Sequence, residues 1–240
     1  MNFLKSSLAL SALALTIVST AAHADNLVTN GSFETITTSG SAEFNTTYNP
    51  NAVTGWTSTG YNFVFTSPGA TTAGAGNSIS LWDPSNFTAS PDGGNFIALD
   101  GAYQVGAVSQ TINNLVAGEA TTVSFYFAGA QQSGFTGTTT EQLIVSLGDQ
   151  SFSTQVLTDA SHGFTGWYAE SFTFIPTSST ETLSFLANGT PSGEPPMSLL
   201  DGVSVTQSQV PEPSSLLLLA TGLTGLGGMV RARFSKRNQA

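Results

Sequence analysis

Five aromatic side chains in the central part of the sequence could bind a sugar ring. An aromatic face packs against the apolar C–H face of a sugar, while neighbouring amide and carboxylate groups bond its hydroxyls. Packing in the protein core is the alternative for each ring, and we favour it for Trp56 in the segment GWT. Trp82, at a predicted strand end, is the expected exposed platform, and Tyr61 and Trp167 are the other predicted sugar-binding residues. The five are Trp56, Tyr61, Trp82, Tyr126 and Trp167.

Side chains that could perform catalysis are present but form no recognisable arrangement. Fourteen carboxylates between Asp25 and Gln209 permit the acid and nucleophile pair of a glycoside hydrolase, yet their spacing singles out no two of them. His162 is the one histidine of that region, and it could bind a metal or act as a base. No Ser-His-Asp pattern surrounds it, and we therefore favour a solvated loop position for this histidine. We therefore predict no catalytic residue, and a secreted hydrolase is the lower-ranked alternative.

The charges of the chain are divided sharply between its centre and its ends. All five Lys and Arg residues lie before residue 25 or after residue 209, whereas 14 of the 15 acids lie between, so residues 25–209 carry a formal charge of −14. Without Lys or Arg this region cannot displace counterions from phosphates, which excludes nucleic acid as a partner. Divalent cations are its natural counter-charge. Because the chain has no cysteine, disulfides, thiol catalysis and thiolate metal sites are excluded as well.

The elements that must position these side chains are short β-strands. Runs rich in Val, Ile, Phe, Tyr and Thr alternate with segments rich in Gly, Ser, Asn and Pro, and no helical period of useful length occurs between the ends. In TVSFYF, for example, Val123 and Phe125 fall on one face. About nine to eleven strands predict an all-β, two-sheet sandwich, with a jelly roll as the leading candidate. Predicted strands are 61–66, 95–99, 108–112, 122–127, 142–147, 151–157, 167–175, 182–186 and 199–206, with loops at 35–51, 68–77 and 130–140.

The first 24 residues have the pattern of a secretory signal peptide. Lys5 provides the positive start, an apolar run follows at 8–18, and AHA at 22–24 supplies the small residues of a cleavage site. We predict a signal helix that signal peptidase removes by cutting between Ala24 and Asp25. A buried N-terminal helix is the alternative.

Residues 210–240 carry a different set of sorting features. VPEPSS is followed by an uncharged apolar stretch at 216–230 and by the basic segment RARFSKR. Through Pro211, Glu212 and Pro213 this order closely resembles the PEP-CTERM sorting signal of Gram-negative bacteria. The resemblance implies export across the inner membrane to the cell surface or extracellular matrix, removal of the tail by an exosortase, and a host that makes exopolysaccharide.

The apolar stretch of the tail is short for a membrane-spanning helix. Such a helix needs roughly 20 apolar residues, whereas residues 216–230 supply 15. Flanking residues could extend it, and the basic end would stay cytoplasmic. We therefore predict a short helix that enters the membrane transiently, with a plain membrane anchor as the alternative.

Residues 25–209 are predicted to form one domain, whose motifs resemble the galactose-binding-like jelly roll. This superfamily includes many carbohydrate-binding modules and bacterial surface domains. The resemblance implies that the first and last strands are neighbours, and that Glu34 and Asp201 help to hold a structural calcium ion through their oxygens. The alternative is that both carboxylates cap turns by accepting backbone N–H groups. The motifs are NLVTNGSFE at 26–34, GWT at 55–57, LDG at 99–101, GAVSQTI at 106–112 and SLLDGVSV at 198–205.

Three classes of function remain open on this sequence. The first is a non-catalytic surface or matrix protein whose jelly roll binds exopolysaccharide. The second is a structural surface component without a small ligand, and the third is a secreted carbohydrate-active hydrolase. The lack of Lys, Arg, Cys and paired histidines in residues 25–209 makes the hydrolase the least favoured of the three.

Overall fold

The computed structural model describes residues 25–66 and 79–207. Residues Ala24–Ser208 form one compact unit. Several sequence predictions lie outside the described residues: the signal peptide with Ala24, the loop at 68–77, the sorting motif at Pro211, Glu212 and Pro213, and both terminal helices. In the two described ranges no helix is long and apolar enough to cross a membrane.

The described residues form twelve strands. Every strand predicted from the sequence has a counterpart, although the segment at 151–157 is divided between two strands. The strands are β1 (Ala42–Glu43), β2 (Thr57–Ser58), β3 (Asn62–Phe65), β4 (Phe96–Asp100), β5 (Val108–Ile112), β6 (Thr121–Gln131), β7 (Thr139–Leu147), β8 (Gln150–Ser153), β9 (Leu157–Asp159), β10 (Tyr168–Phe174), β11 (Glu181–Thr190) and β12 (Pro196–Gln207).

The strands form two antiparallel sheets. One sheet has the order β1-β3-β4-β12-β6-β10, and the other has the order β2-β5-β11-β7-β8, with β9 also pairing with β7. Consecutive strands often belong to different sheets, as β4 and β5 do, which is typical of a jelly roll rather than of a simple meander. The predicted all-β, two-sheet jelly roll is therefore confirmed.

Two of the loop predictions were partly wrong. The loop predicted at 35–51 contains β1, which pairs with β3. The loop predicted at 130–140 is shorter than expected, because β6 continues to Gln131 and β7 begins at Thr139. The last residues of β6 are small, with little strand preference of their own, but they pair with β12 as far as Pro196. Pairing with a long neighbour thus extends a strand beyond what its own sequence predicts.

Alternating side chains of the first sheet supply two separate hydrophobic clusters. Ile97 and Leu99 of β4 face the main core between the sheets, whereas Phe96 and Ala98 face a second cluster on the outer side. The second cluster is closed by residues of the connecting segments, including Leu81. Because β4 is covered on both faces, all five of its residues are buried.

The opening and closing segments of the domain lie side by side. Leu27 N donates to Val205 O at 2.8 Å, and Val203 N donates to Gly31 O at 3.0 Å. A Cβ atom on Gly31 would stand 1.9 Å from Val203 O, so this close approach requires glycine. The predicted proximity of the first and last segments is confirmed.

Candidate functional site

An aromatic pocket opens where four connecting segments meet at one end of the strands of the first sheet. Its volume is about 320 Å³. Tyr61 and Tyr103 form one wall, with ring centroids 5.8 Å apart and planes at 83°. Tyr103 is 64% exposed and Phe135 is 36% exposed, so two large apolar rings face solvent here. The aromatic pocket is lined by Tyr61, Asp100, Tyr103, Gln132, Phe135, Ser192, Gly193 and Pro195.

The tyrosine wall is fixed by the turn that follows β4. Asp100 Oδ1 accepts the backbone N–H groups of Ala102 and Tyr103 at 2.7 and 2.8 Å, so the LDG segment forms a turn after β4. Tyr61 N donates to Gln104 O at 2.8 Å and ties the two segments together. The Tyr103 ring is thereby presented to solvent by a rigid turn.

Two carboxylates, those of Asp100 and Glu43, lie near Tyr61 in the aromatic pocket. Asp100 is fully buried, Oδ2 has no hydrogen-bond partner among the described residues, and burial raises the pKa of this carboxyl group. Burial first, and then the carboxylates of Glu43 and Asp100, raise the pKa of Tyr61. The Tyr61 phenol therefore keeps its proton at neutral pH and can donate a hydrogen bond.

Trp82 supports the opposite wall of the pocket. Its Nε1 donates to Phe135 O at 2.8 Å, and its ring lies against the ring of His162 with centroids 4.0 Å apart. The side chain is half-buried and does not line the pocket. Trp82 therefore holds the segment that presents Phe135.

The other aromatic candidates lie elsewhere. Trp167 packs against the second hydrophobic cluster, and its Nε1 donates to Thr88 O at 3.1 Å. Trp56 is 3% exposed, which confirms that it is a core residue. Of the three predicted sugar-binding residues, only Tyr61 lines the aromatic pocket.

His162 occupies a turn, as the sequence predicted. Its side chain is exposed, and its backbone has a positive φ of 63°. Its backbone N–H donates to Gln131 Oε1 at 3.0 Å. Thus its contacts are those of a turn residue stacked on Trp82.

The structure brings the two predicted calcium ligands into one acidic region. Asp201 is fully buried; burial and the negative charges of Asp92 and Glu34 raise its pKa to about 7. Its Oδ1 accepts Gly202 N at 2.7 Å. Its Oδ2 has no hydrogen-bond partner among the described residues. The Ser90 hydroxyl lies near the carboxyl group and offsets part of the rise in its pKa. Asp201 thus has one buried oxygen free for a ligand.

Glu34 lies across the turn that follows Ser90. Its Oε1 accepts Asn95 N at 2.6 Å, so this oxygen does cap a turn. A Cβ atom on Gly94 would overlap the Glu34 carboxylate, and Gly94 has a positive φ of 68°. The glycine therefore lets the carboxylate approach the turn between Ser90 and Asn95.

Metal ligation here would depend on more than carboxylates. Within residues 25–66 and 79–207, no three His, Asp or Glu side chains are grouped so that they could hold a metal ion. Calcium also accepts hydroxyl, carbonyl and water oxygens, so two carboxylates can serve when the backbone supplies the remainder. Asn26 Oδ1 is not available, because it already accepts Val28 N and Val205 N at 3.0 Å each.

Of the residues that line the aromatic pocket, sequence reasoning singled out only Tyr61 for sugar binding and missed, among others, Asp100, Tyr103, Gln132 and Phe135. Each stands in or next to a turn, without any local pattern that distinguishes a ligand-facing ring from an ordinary exposed one. Two further cavities, one beside Thr37 and Asn51 and one beside Thr57 and Gln110, have no aromatic side chain in their lining.

Comparison with known protein families finds one match for the β-sandwich domain and a second match for the C-terminal tail. Residues 26–206 match the family described as Protein of unknown function (DUF642), and the chain belongs to that family. Residues 209–233 match the PEP-CTERM protein-sorting motif. The protein is thus an exported one, sorted by an exosortase to the cell surface or the extracellular space. No curated protein matches the chain.

Solved structures with a similar fold include carbohydrate-binding modules. TmCBM61, solved with β-1,4-galactotriose, is 16% identical with a TM-score of 0.44, over 77% of this chain and 99% of that one. CBM35 from Paenibacillus barcinonensis is 22% identical with a TM-score of 0.35, over 65% and 94%. The α-L-arabinofuranosidase MgGH51 is 16% identical with a TM-score of 0.40, over 76% of this chain but 26% of the enzyme.

Proposed function

We propose that the processed protein is a non-catalytic surface or matrix component that binds polysaccharide in the aromatic pocket. The observation that carries this proposal is the exposed pair Tyr103 and Phe135 at the mouth of a cavity of about 320 Å³. Two exposed rings beside amide and hydroxyl groups match the two halves of a sugar, its C–H face and its hydroxyls.

Each part of the pocket has a role in this proposal. The Tyr103 face stacks on a sugar ring, while the Tyr61 phenol and the Gln132 amide bond its hydroxyls. Trp82 acts indirectly, by holding the backbone of Phe135. Trp167 belongs to the outer hydrophobic cluster and has no part in binding.

The ligand class follows from charge. Residues 25–209 contain no Lys or Arg, so they have no cationic side chain of these types to pair with a free anionic polymer. Neutral polysaccharide, or an acidic one bridged by calcium, is therefore the expected partner. In a Gram-negative host this would be the exopolysaccharide to which the exported protein is exposed, and many copies on one surface would add avidity to weak single contacts.

Calcium is proposed as a structural cofactor at Glu34 and Asp201. The buried Asp201 oxygen without a hydrogen bond, and the neighbouring negative charges of Glu34 and Asp92, favour a divalent ion in this region. The ion would join the opening segment to β12. Its chemistry would be electrostatic neutralisation, and no step of sugar binding depends on it.

Binding can be measured by calorimetry on the unit Ala24–Ser208, which is compact and contains both hydrophobic clusters. Neutral oligosaccharides of glucose, galactose and xylose would be titrated one at a time. We expect a dissociation constant on the order of 10⁻⁴ to 10⁻³ M for at least one of them.

The matched variants are Tyr103→Ala and Tyr48→Ala. Both remove an exposed ring, but Tyr48 does not line the pocket. Tyr103→Ala should weaken binding by about tenfold, the cost of one lost ring contact, whereas Tyr48→Ala should bind as the native protein does. Equal binding by both variants would show that the aromatic pocket is not the binding site. If the native protein binds none of the oligosaccharides, a structural surface component without a small ligand is favoured.

A further inference from the structure

A second pair of buried carboxylates lies at one end of the sandwich, apart from Glu34 and Asp201. Glu141 on β7 is 0% exposed and Asp159 on β9 is 2% exposed. Both Glu141 oxygens and Asp159 Oδ2 have no hydrogen-bond partner among the described residues. Burying even one carboxylate without partners is costly, and two together cost more unless something neutralises them.

The register of β7 and β9 brings the two groups together. Thr139 lies directly opposite Asp159, and Glu141 lies opposite Leu157. Alternate residues of a strand share a face, so Thr139, Glu141 and Asp159 all point to the interior. Their Cβ atoms are then separated by about 5 to 8 Å, a span that a carboxylate on each side can close around one ion.

Two glycines leave room for these carboxylates. A Cβ atom on Gly129 of β6 would stand 2.6 Å from Glu141 Oε2, and one on Gly163 would stand 2.2 Å from Asp159 Oδ1. Any larger residue at either position would occupy the space into which the oxygens point. The carboxylates therefore pack directly against the backbone of these two glycines.

Neighbouring groups do not supply a positive charge. Residues 25–209 contain no Lys or Arg, and the His162 ring is exposed and stacks on Trp82. Burial raises the pKa of Glu141 to about 8 and that of Asp159 to about 7. The charge of Asp159 adds to the rise in the pKa of Glu141, and the nearby Thr139 hydroxyl offsets part of that rise. The distance and angles between Thr139 Oγ1 and Glu141 do not meet the criteria for a hydrogen bond. Without a counter-ion, the two groups resist ionisation together.

We propose that Glu141, Asp159 and the Thr139 hydroxyl hold a divalent metal ion of the calcium type inside this end of the sandwich. The three side chains supply up to five oxygens, and nearby backbone carbonyls or water complete the shell at roughly 2.3 to 2.6 Å. Oxygen-only ligands of this charge favour calcium over softer metals.

The ion would anchor two connecting segments, 132–138 and 160–166. Gln131 joins them, because its Oε1 accepts His162 N and its Nε2 donates to Gly137 O. Gly137 N also donates to Ser161 Oγ at 2.9 Å. Since Phe135 lines the aromatic pocket, the ion would stiffen one wall of it; this consequence rests on the proposed function, whereas ion binding itself does not.

The test is the calcium stoichiometry of the unit Ala24–Ser208, measured by calorimetry with calcium chloride after treatment with chelator. Glu141→Gln and Asp201→Asn each remove one buried charge at a different site, and Asp149→Asn removes an exposed one as a control. We expect Glu141→Gln to bind one calcium equivalent fewer than the native protein and Asp149→Asn to bind as many.

The outcome for Asp201→Asn separates this proposal from the first calcium site. If only Asp201→Asn lowers the stoichiometry, the pair at Glu141 is neutralised by protons and the proposal is overturned. If only Glu141→Gln lowers it, the new site stands and calcium at Glu34 and Asp201 fails. Should Glu141→Gln not fold, Asp159→Asn is decisive in its place, because full native stoichiometry in that variant overturns the proposal.

Discussion

The side chain of Asn26 joins the first and last segments of the domain. Its Oδ1 accepts the backbone N–H of Val205 at 3.0 Å, 179 residues further along the chain, and also that of Val28. Asn26→Ala leaves both donors without this partner and should lower the free energy of unfolding by about 1 to 3 kcal/mol. Urea denaturation measures the loss.

The control for that prediction is Asn51→Ala. Asn51 is exposed as Asn26 is, but Thr37 Oγ1 donates to the backbone O of Asn51 and not to its side chain. Its removal should change stability by less than about 0.5 kcal/mol. Equal effects of the two substitutions would mean that the contact between Asn26 and Val205 contributes nothing specific.

Removal of calcium should destabilise the domain. An ion that binds only the folded state raises stability by an amount that grows with the logarithm of its free concentration over its dissociation constant. The melting temperature should therefore fall when chelator replaces millimolar calcium at equal ionic strength. Glu34→Gln and Asp201→Asn should each reduce that difference, whereas Asp149→Asn should not. A matched monovalent salt that acts as calcium does would show simple screening instead.

Stability in chelator should fall as the pH rises. Burial raises the pKa of Glu141 to about 8 and that of Asp201 to about 7, whereas both lie near 4 in an unfolded chain. Between these values the folded state holds protons that the unfolded state has released, so the stabilisation is complete below about pH 4 and is lost by about pH 8.

The pH prediction is checked by urea midpoints from pH 4 to 8.5 in chelator. Glu141→Gln should flatten the upper part of the profile, whereas the exposed control Asp149→Asn should follow the native curve. A native midpoint that stays constant or rises over this range would contradict the raised pKa values.

Processing at both ends can be read from an intact mass. We expect protein from the native host to begin at or near Asp25, as the predicted signal peptide requires, and to lack Arg231 to Ala240, because the sorting motif implies processing by an exosortase. A host without exosortase should retain the tail. A full-length C-terminus in an exosortase-positive host would contradict the sorting assignment.

The fold could be predicted from the sequence because most of its strands carry their own pattern. Val123 and Phe125 alternate with polar residues, and both are buried. The two-residue strands β1 and β2 could not be found, because two residues are too few to show a period. They exist because β3 and β5 offer them a free edge.

Some residues of the candidate sites could be predicted from sequence motifs, and others could not. Glu34 and Asp201 stand in recognisable motifs, and the structure does place them in one acidic region. By contrast, Glu141 becomes notable only when β9 places Asp159 beside it, and Tyr103 only when Phe135 lies across the pocket. Pairings between distant segments create both features, and no local sequence pattern records them.

The measurement that tests the central claim most directly is retention of the processed domain by the host's own exopolysaccharide. Native domain and Tyr103→Ala would be passed separately over the immobilised polymer, with calcium and with chelator. We expect the native domain to be retained and Tyr103→Ala to elute early. If the native domain elutes with Tyr103→Ala in both buffers, the protein does not bind this polysaccharide through the aromatic pocket.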